Sequence, residues 1–332
     1  LFKMDIFKSM HSHIRKHFTN EKLIKLLEFP ILFLGATAKS TPALYSLMNY
    51  ADIKLGTWYP KGGMYKLVEA MVSLAKEKGV KIYNNQEVVS FNYTNNSISH
   101  VLTTKSTFEA DYVVCGADYN HIDQNVLEKK YRNYSNSYWN KRTLAPSSLL
   151  FYVGLNKKLK NVKHHCLFFD KDFENHSKEI YEVPRWPSDP LFYASFSSKT
   201  DKESAPKNCE NMFLLIPIAP DIEDNKLIRE KYFELIMARL EKLTKQPIKD
   251  SIIYKKSYCI RDFKKDYNSF KGNAYGLANT LFQTAIFKPS IKNKKLKNLF
   301  FCGQLTVPGP GVPPSIISGG VVAKEIKKKI KN

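Results

Sequence analysis

The chain has 332 residues, enough for one large or two medium domains, and its 43% hydrophobic and 13% aromatic shares are globular values. Five scattered cysteines without a CxxC pair or Cys/His metal spacing read as free thiols in a reducing compartment, and no apolar run reaches the roughly 18 residues a membrane-spanning helix needs. A net charge of +21 fits a solvated Lys-rich surface or attraction to an anionic membrane, and fits nucleic-acid recognition poorly because the lysines are spread along the chain.

Phe2, Ile6, Met10, Ile14 and Phe18 recur every four residues with Lys3, Lys8, Arg15 and Lys16 between them. This predicts a basic amphipathic helix, suited to core packing or a lipid surface. His13 and His17 lie four apart on it, without a carboxylate at matched spacing to complete a metal site. Residues 23–36 read as a buried helix followed by a turn, or as a segment dipping into one leaflet. A helix is expected over 64–78, with Gly79 just past its end, and then strands at 80–83, 87–93, 98–104 and 112–115. The last is apolar throughout, so both of its faces are expected to be buried. It delivers Gly116-Ala117-Asp118 to a sheet's carboxyl edge, where Asp118 reads as the N-cap of a helix over 119–128 ahead of a cofactor contact.

Apolar runs at 148–155, 191–197, 212–218 and 251–258 predict a mostly antiparallel sheet, with one long helix over 224–244. His164 and His165 precede a strand, whose alternation would send their rings to opposite faces. The last block reads as a strand (299–302) ending at Gly303, a Gly/Pro loop, and a helix opening near Pro313-Pro314-Ser315. Gly309 and Gly311 let the backbone approach a ligand, and the amides and dipole of the helix start favour an electron-rich ring or an oxyanion. Lysine clusters stand at 292–297 and 324–331.

The segment 298–323 (NLFFCGQLTVPGPGVPPSIISGGVVA) resembles the C-terminal flavin-contacting motif of the bacterial-type phytoene desaturases, the carotenoid-forming branch of the FAD-dependent amine-oxidase-like flavoproteins. Residues 56–70 (GTWYPKGGMYKLVEA), 111–118 (DYVVCGAD), 164–170 (HHCLFFD), 213–220 (FLLIPIAP) and 271–283 (KGNAYGLANTLFQ) resemble further blocks of that family, in its order.

The resemblance implies an α/β (α+β) architecture: a two-domain FAD/NAD(P)-binding, Rossmann-like flavoprotein fold with a mixed-sheet substrate domain. No GxGxxG follows a strand near the start, where the family carries its dinucleotide-binding βαβ unit, so the expectation is a chain lacking that unit. Expected segments are a helical part of the substrate domain (1–55), the remaining FAD-binding segment (56–118), a polyene-binding domain (119–290) and the C-terminal FAD-binding strand and helix (291–332). By resemblance, Val88 offers backbone hydrogen bonds to adenine, Gly303 ends the strand against the cofactor, Gln304 contacts the ribityl chain, and Gly311, Val312, Pro313 and Ile316 form the turn and helix start at the ring.

The implied reaction is desaturation of a C40 polyene precursor, phytoene towards lycopene, by hydride transfer to FAD. His164, His165, Asp170, Lys271 and Tyr275 are the acid–base candidates, with Arg261 and Asp262 behind them. Phe29, Leu32, Phe33, Leu34, Leu44, Met48, Phe168 and Phe169 are candidates for a substrate tunnel, each also readable as plain core. The implied partners are a long-chain isoprenoid and a membrane surface, placing the protein in the cytoplasm at the inner face of the cell membrane. Rival readings are a carotenoid isomerase or ketolase on the same scaffold, or a non-catalytic isoprenoid-binding protein.

Overall fold

The computed structural model describes residues 8–33 and 37–331, without the side chains of Leu32, Phe33 and Leu281. Phe2, Ile6 and Leu34, and the side chains of Leu32 and Phe33, therefore lie outside the described residues. The chain divides into two compact units. One combines Leu1–Ser46, Tyr83–Pro146 and Phe263–Asn332; the other combines Leu47–Ile82 and Ser147–Asp262.

In chain order, helix α1 (Met10–His17) starts at Ser9, whose hydroxyl accepts the Ser12 N–H at 3.2 Å. Met10 and Ile14 bury against Ile24 and Ile31 of α2 (Glu21–Phe33), giving the first unit a small helical core. In the second unit, α3 (Tyr65–Glu77) ends on Lys78 with Gly79 at φ 78°, the left-handed residue expected there. Its apolar stripe is uncovered: Val68, Met71 and Leu74 are each about half exposed.

Residues 80–83 are not a strand. Val80 and Ile82 alternate as strand residues do, but both are half exposed and the segment joins no sheet among the described residues. Strands β1 (Val88–Thr94), β2 (Ser97–Thr103) and β3 (Thr107–Glu109) form an antiparallel sheet. Asn95 and Asn96, both at positive φ, make the two-residue turn between β1 and β2.

Strand β4 (Val113–Cys115) does not have two buried faces: Val113 and Cys115 are buried on one face, and Val114, on the other, is half exposed. The helix expected over 119–128 is two short turns, Tyr119–His121 and Ile122–Val126, that end at Leu127.

The second unit is built on the antiparallel sheet β6-β7-β8-β5-β9, with β5 (Ser147–Leu155), β6 (His165–Phe168), β7 (Phe192–Ser195), β8 (Glu210–Ile218) and β9 (Ile252–Tyr258). Helix α4 (Phe173–Tyr181) follows β6. Helix α5 (Lys226–Thr244) is capped by the Asn225 side chain and buries Phe233, Ile236, Met237 and Leu240 in the core formed by Leu149, Phe151, Leu214 and Ile216. In the first unit, β10 (Leu299–Phe301) runs parallel to β4, and α6 (Val312–Lys331) follows it. Tyr119 stacks on Phe301 at 3.7 Å in the core beneath this strand pair.

Candidate functional site

The two parallel strands of the first unit end side by side. Cys302 N–H donates to Cys115 O at 3.0 Å, and the chain then turns away at Gly116 on one strand and at Gly303 on the other. Gly303 holds φ +102°, a conformation that side chains resist. Ser318, buried on α6, ties the turn down: its hydroxyl accepts the Gly303 N–H at 2.8 Å and donates to Ser315 O at 2.6 Å. Ser315, at the expected helix start, would be the obvious capping hydroxyl. The signal missed was a serine one turn further on, on the helix face that packs inward.

A cavity of about 480 Å³ opens at these strand ends, lined among others by Gly116, Asp118, Asn273, Cys302, Gly303 and Gln304. Asp118 is the helix cap expected: Oδ1 accepts the His121 N–H at 3.0 Å and Oδ2 the Phe270 N–H at 3.1 Å. Burial raises its pKa, with those backbone donors opposing the shift. Gln304 is fixed from behind by Gly276, where an added Cβ would lie 3.0 Å from Gln304 O.

The start of α6 differs from expectation in its donors. Pro313 and Pro314 have no N–H, and Ser315 N–H is spent on Gly311 O at 3.0 Å. Any anion bound there must therefore rely on Gly311, Val312 and the helix dipole, not on a row of free amides. Gly311 is at φ +111°, with Pro314 Cδ 3.4 Å from where a Cβ would stand; Pro313 and Ile316 are exposed on the first turn. Val88 sits at the start of β1 and is not among the cavity's lining residues.

The acid–base candidates separate. In the second unit the His164 and His165 rings do not point to opposite faces: they stack at 4.2 Å, because His164 lies just before β6 begins and is free of strand alternation. His164 Nδ1 pairs with Thr200 Oγ1 and His165 Nδ1 with Tyr193 OH, both at 2.6 Å, while Tyr59 meets the His164 ring edge-on at 4.8 Å. Burial lowers both imidazole pKa values. Asp170 is taken up by an ion pair with Arg239. Asp262 pairs with Arg229 at 2.8 Å, and the Arg261 N–H binds Asp224 at 2.8 Å, so these serve structure. In the first unit Lys271 lies over the Phe270 ring, and Tyr275 is half-buried.

Among the tunnel candidates Phe168 stacks on Phe192 at 4.4 Å as core and Phe169 meets Phe173 edge-on, while Leu44 and Met48 are exposed. Phe29 is half-buried. His13 and His17 meet ring edge to ring face at 5.2 Å, and among the described residues no group of three or more metal-ligating side chains forms.

Residues 4–327 match the family model of the flavin containing amine oxidoreductases. The chain belongs to that family. It is 35% identical over 327 residues to a carotenoid 3,4-desaturase of Haloarcula japonica, covering 98% of this chain and 66% of that protein. To a zeta-carotene-forming phytoene desaturase of Myxococcus xanthus it is 28% identical, covering 98% and 63%. The chain thus spans about two-thirds of the length of these relatives.

Among solved structures it resembles an oxidoreductase from Methanosarcina mazei (TM-score 0.64, 14% identity, covering 96% of this chain and 68% of that one). It also resembles cyclohexylamine oxidase from Brevibacterium oxydans (TM-score 0.53, 10% identity, covering 99% and 69%). These last likenesses concern the fold alone.

FAD is the cofactor of this family, and the strand-end cavity fits part of it. The cavity lies at the carboxyl ends of parallel strands, where such sheets hold ligands, and its floor is backbone at Gly116 and Gly303. Gly303 and Gln304, which line the cavity, are the groups that would hold it; Gly311, Val312, Pro313 and Ile316 are not among its lining residues, and Ser315 of the same helix start is.

Proposed function

We propose that the protein is an FAD-dependent carotenoid desaturase, acting at a membrane surface on a long isoprenoid and converting phytoene towards lycopene. The observation that carries this reading is the cavity at the paired ends of β4 and β10, in a chain whose curated relatives include carotenoid desaturases. When bound, the flavin supplies the two-electron acceptor that an unactivated CH2–CH2 unit requires.

The residues of this chain do the rest. The Gly311 and Val312 amides, with the α6 dipole, favour negative charge at the cofactor by roughly 1 kcal/mol. His164 and His165, whose lowered pKa values keep them neutral near pH 7, suit the removal of a proton; Lys271 and Tyr275 are the remaining alternatives. An isoprenoid gains about 0.8 kcal/mol for each buried CH2, which holds it in the bilayer and draws the enzyme to it. Cytoplasmic location at the inner face of the cell membrane belongs to the same proposal.

A second reading, 3,4-desaturation of a carotenoid end, is favoured by the higher identity to the Haloarcula relative, 35% against 28%. Expressing the encoding gene in cells that accumulate phytoene, and in cells that accumulate lycopene, separates the two by product chromatography. The first reading expects phytoene to yield coloured, more unsaturated products. Conversion of lycopene alone supports the second. Isomerised or oxygenated products with no added double bond contradict both.

A further inference from the structure

The two lysine clusters noted in the sequence are more than 25 residues apart, yet in the first unit they meet around one small cavity of about 150 Å³. Lys292, Lys294, Lys295 and Lys297 line it from the loop before β10, and Lys329 from the last turn of α6. Among the described lining residues none is acidic.

The loop is built, not loose. Asn293 Oδ1 accepts the Lys295 and Leu296 N–H groups at 2.8 and 2.7 Å, Asn133 Oδ1 accepts the Lys294 N–H at 2.8 Å, and Lys297 N–H donates to Asn96 O at 2.9 Å. Leu296 is buried beneath it. Lys329 is held over the opening by a hydrogen bond to Lys297 O at 2.5 Å, with its ammonium 5.5 Å from the Phe300 ring. Opposing charge is present on one side only: Glu325 accepts Lys292 at 2.5 Å and Lys328 at 2.7 Å. Lys295 and Lys297 have no acidic partner among the described ion pairs.

Five lysines around one small cavity give it a positive potential that favours an arriving anion, with the Lys294 ammonium set over the Tyr134 ring at 4.3 Å. A cavity this small suits a single tetrahedral oxyanion. We propose that this lysine-lined cavity binds a phosphate group, either free or in the headgroup of an anionic lipid. The proposal is independent of the flavin reading, because none of its residues lines the strand-end cavity.

The test uses the whole 332-residue chain. It is titrated with inorganic phosphate by calorimetry, and sedimented with phosphatidylcholine vesicles with and without phosphatidylglycerol. Lys295→Glu with Lys297→Glu is compared with Lys207→Glu and Lys226→Glu, exposed lysines of the second unit that carry the same change of charge. The site pair should lose about tenfold or more in affinity while the control pair stays within about twofold, and added salt should weaken the native chain's binding. Lys295→Gln with Lys297→Gln repeats the comparison if charge reversal disturbs folding. Binding of inorganic phosphate alone assigns the site to soluble phosphate, and vesicle binding that needs phosphatidylglycerol assigns it to lipid. Equal losses in both pairs, or no binding of either probe, overturn the proposal.

Discussion

Asn298 shows how one side chain can hold distant segments together. Its Oδ1 accepts the Ile98 N–H at 2.8 Å, and its Nδ2 donates to Ile98 O at 2.7 Å and Asp111 O at 2.9 Å, all behind a nearly closed surface. Asn298→Ala leaves the buried N–H and C=O of Ile98 unpaired, together with the part-buried Asp111 O, and should cost about 3 kcal/mol. Urea denaturation measures it, and an unchanged midpoint would contradict the role.

His176 makes the corresponding tie in the second unit. Its ring is buried, with Nε2 donating to Pro217 O at 2.8 Å and Nδ1 accepting the Leu191 N–H at 3.0 Å, an arrangement only the neutral ring can make. Burial depresses its pKa from 6.5 to about 4. The folded state therefore binds fewer protons than the unfolded chain. This contribution is complete above pH 6.5 and is lost as pH falls towards 4, amounting to about 3 kcal/mol. Denaturation at pH 7 and pH 4.5 should show most of that loss, and His176→Gln should flatten the difference. Neither residue was legible beforehand, since a polar side chain's partners lie across the fold and leave no local pattern.

At the scale of elements, periodicity carried well wherever packing is continuous. Residues 148–155 and 212–218 are strands at the heart of the second sheet because their apolar runs have a partner on each side. The long helix is found within two residues of expectation at its start and ends at Thr244. Its terminus holds a small reserve of stability: Lys245 occupies a left-handed conformation at φ 56°. Lys245→Gly should stabilise the second unit by about 1 kcal/mol, read as a raised thermal midpoint. A fall would mean that the lysine side chain contributes more than its backbone strain costs.

The strand expected at 80–83 and the second buried face expected at Val114 failed for one reason: apolar residues report what suits a strand and say nothing of whether a neighbour exists to pair with or cover them. The two prolines of α6 were legible as a helix start, but their missing amides remove donors that the dipole argument had counted.

For the whole molecule, the family and the strand–Gly–helix backbone were legible because Gly303, Gly311 and the prolines impose local geometry that few other residues supply. The catalytic groups were not. His164 and His165 look alike in sequence whether stacked or splayed, and Asp170 looks reactive until Arg239 is found beside it. Charge was legible as a total and misleading as a distribution, since lysines of two clusters converge only in three dimensions.

The central claim is that the backbone at the ends of β4 and β10 receives the flavin. A crystal structure of the protein expressed from its gene and saturated with FAD tests it most directly, with Gly303→Val, which forces a branched side chain into φ +102°, as the paired binding control. The account predicts cofactor density against Gly116, Gly303 and Gln304 and a loss of FAD retention in the variant. Density elsewhere, or full retention by Gly303→Val, would contradict it.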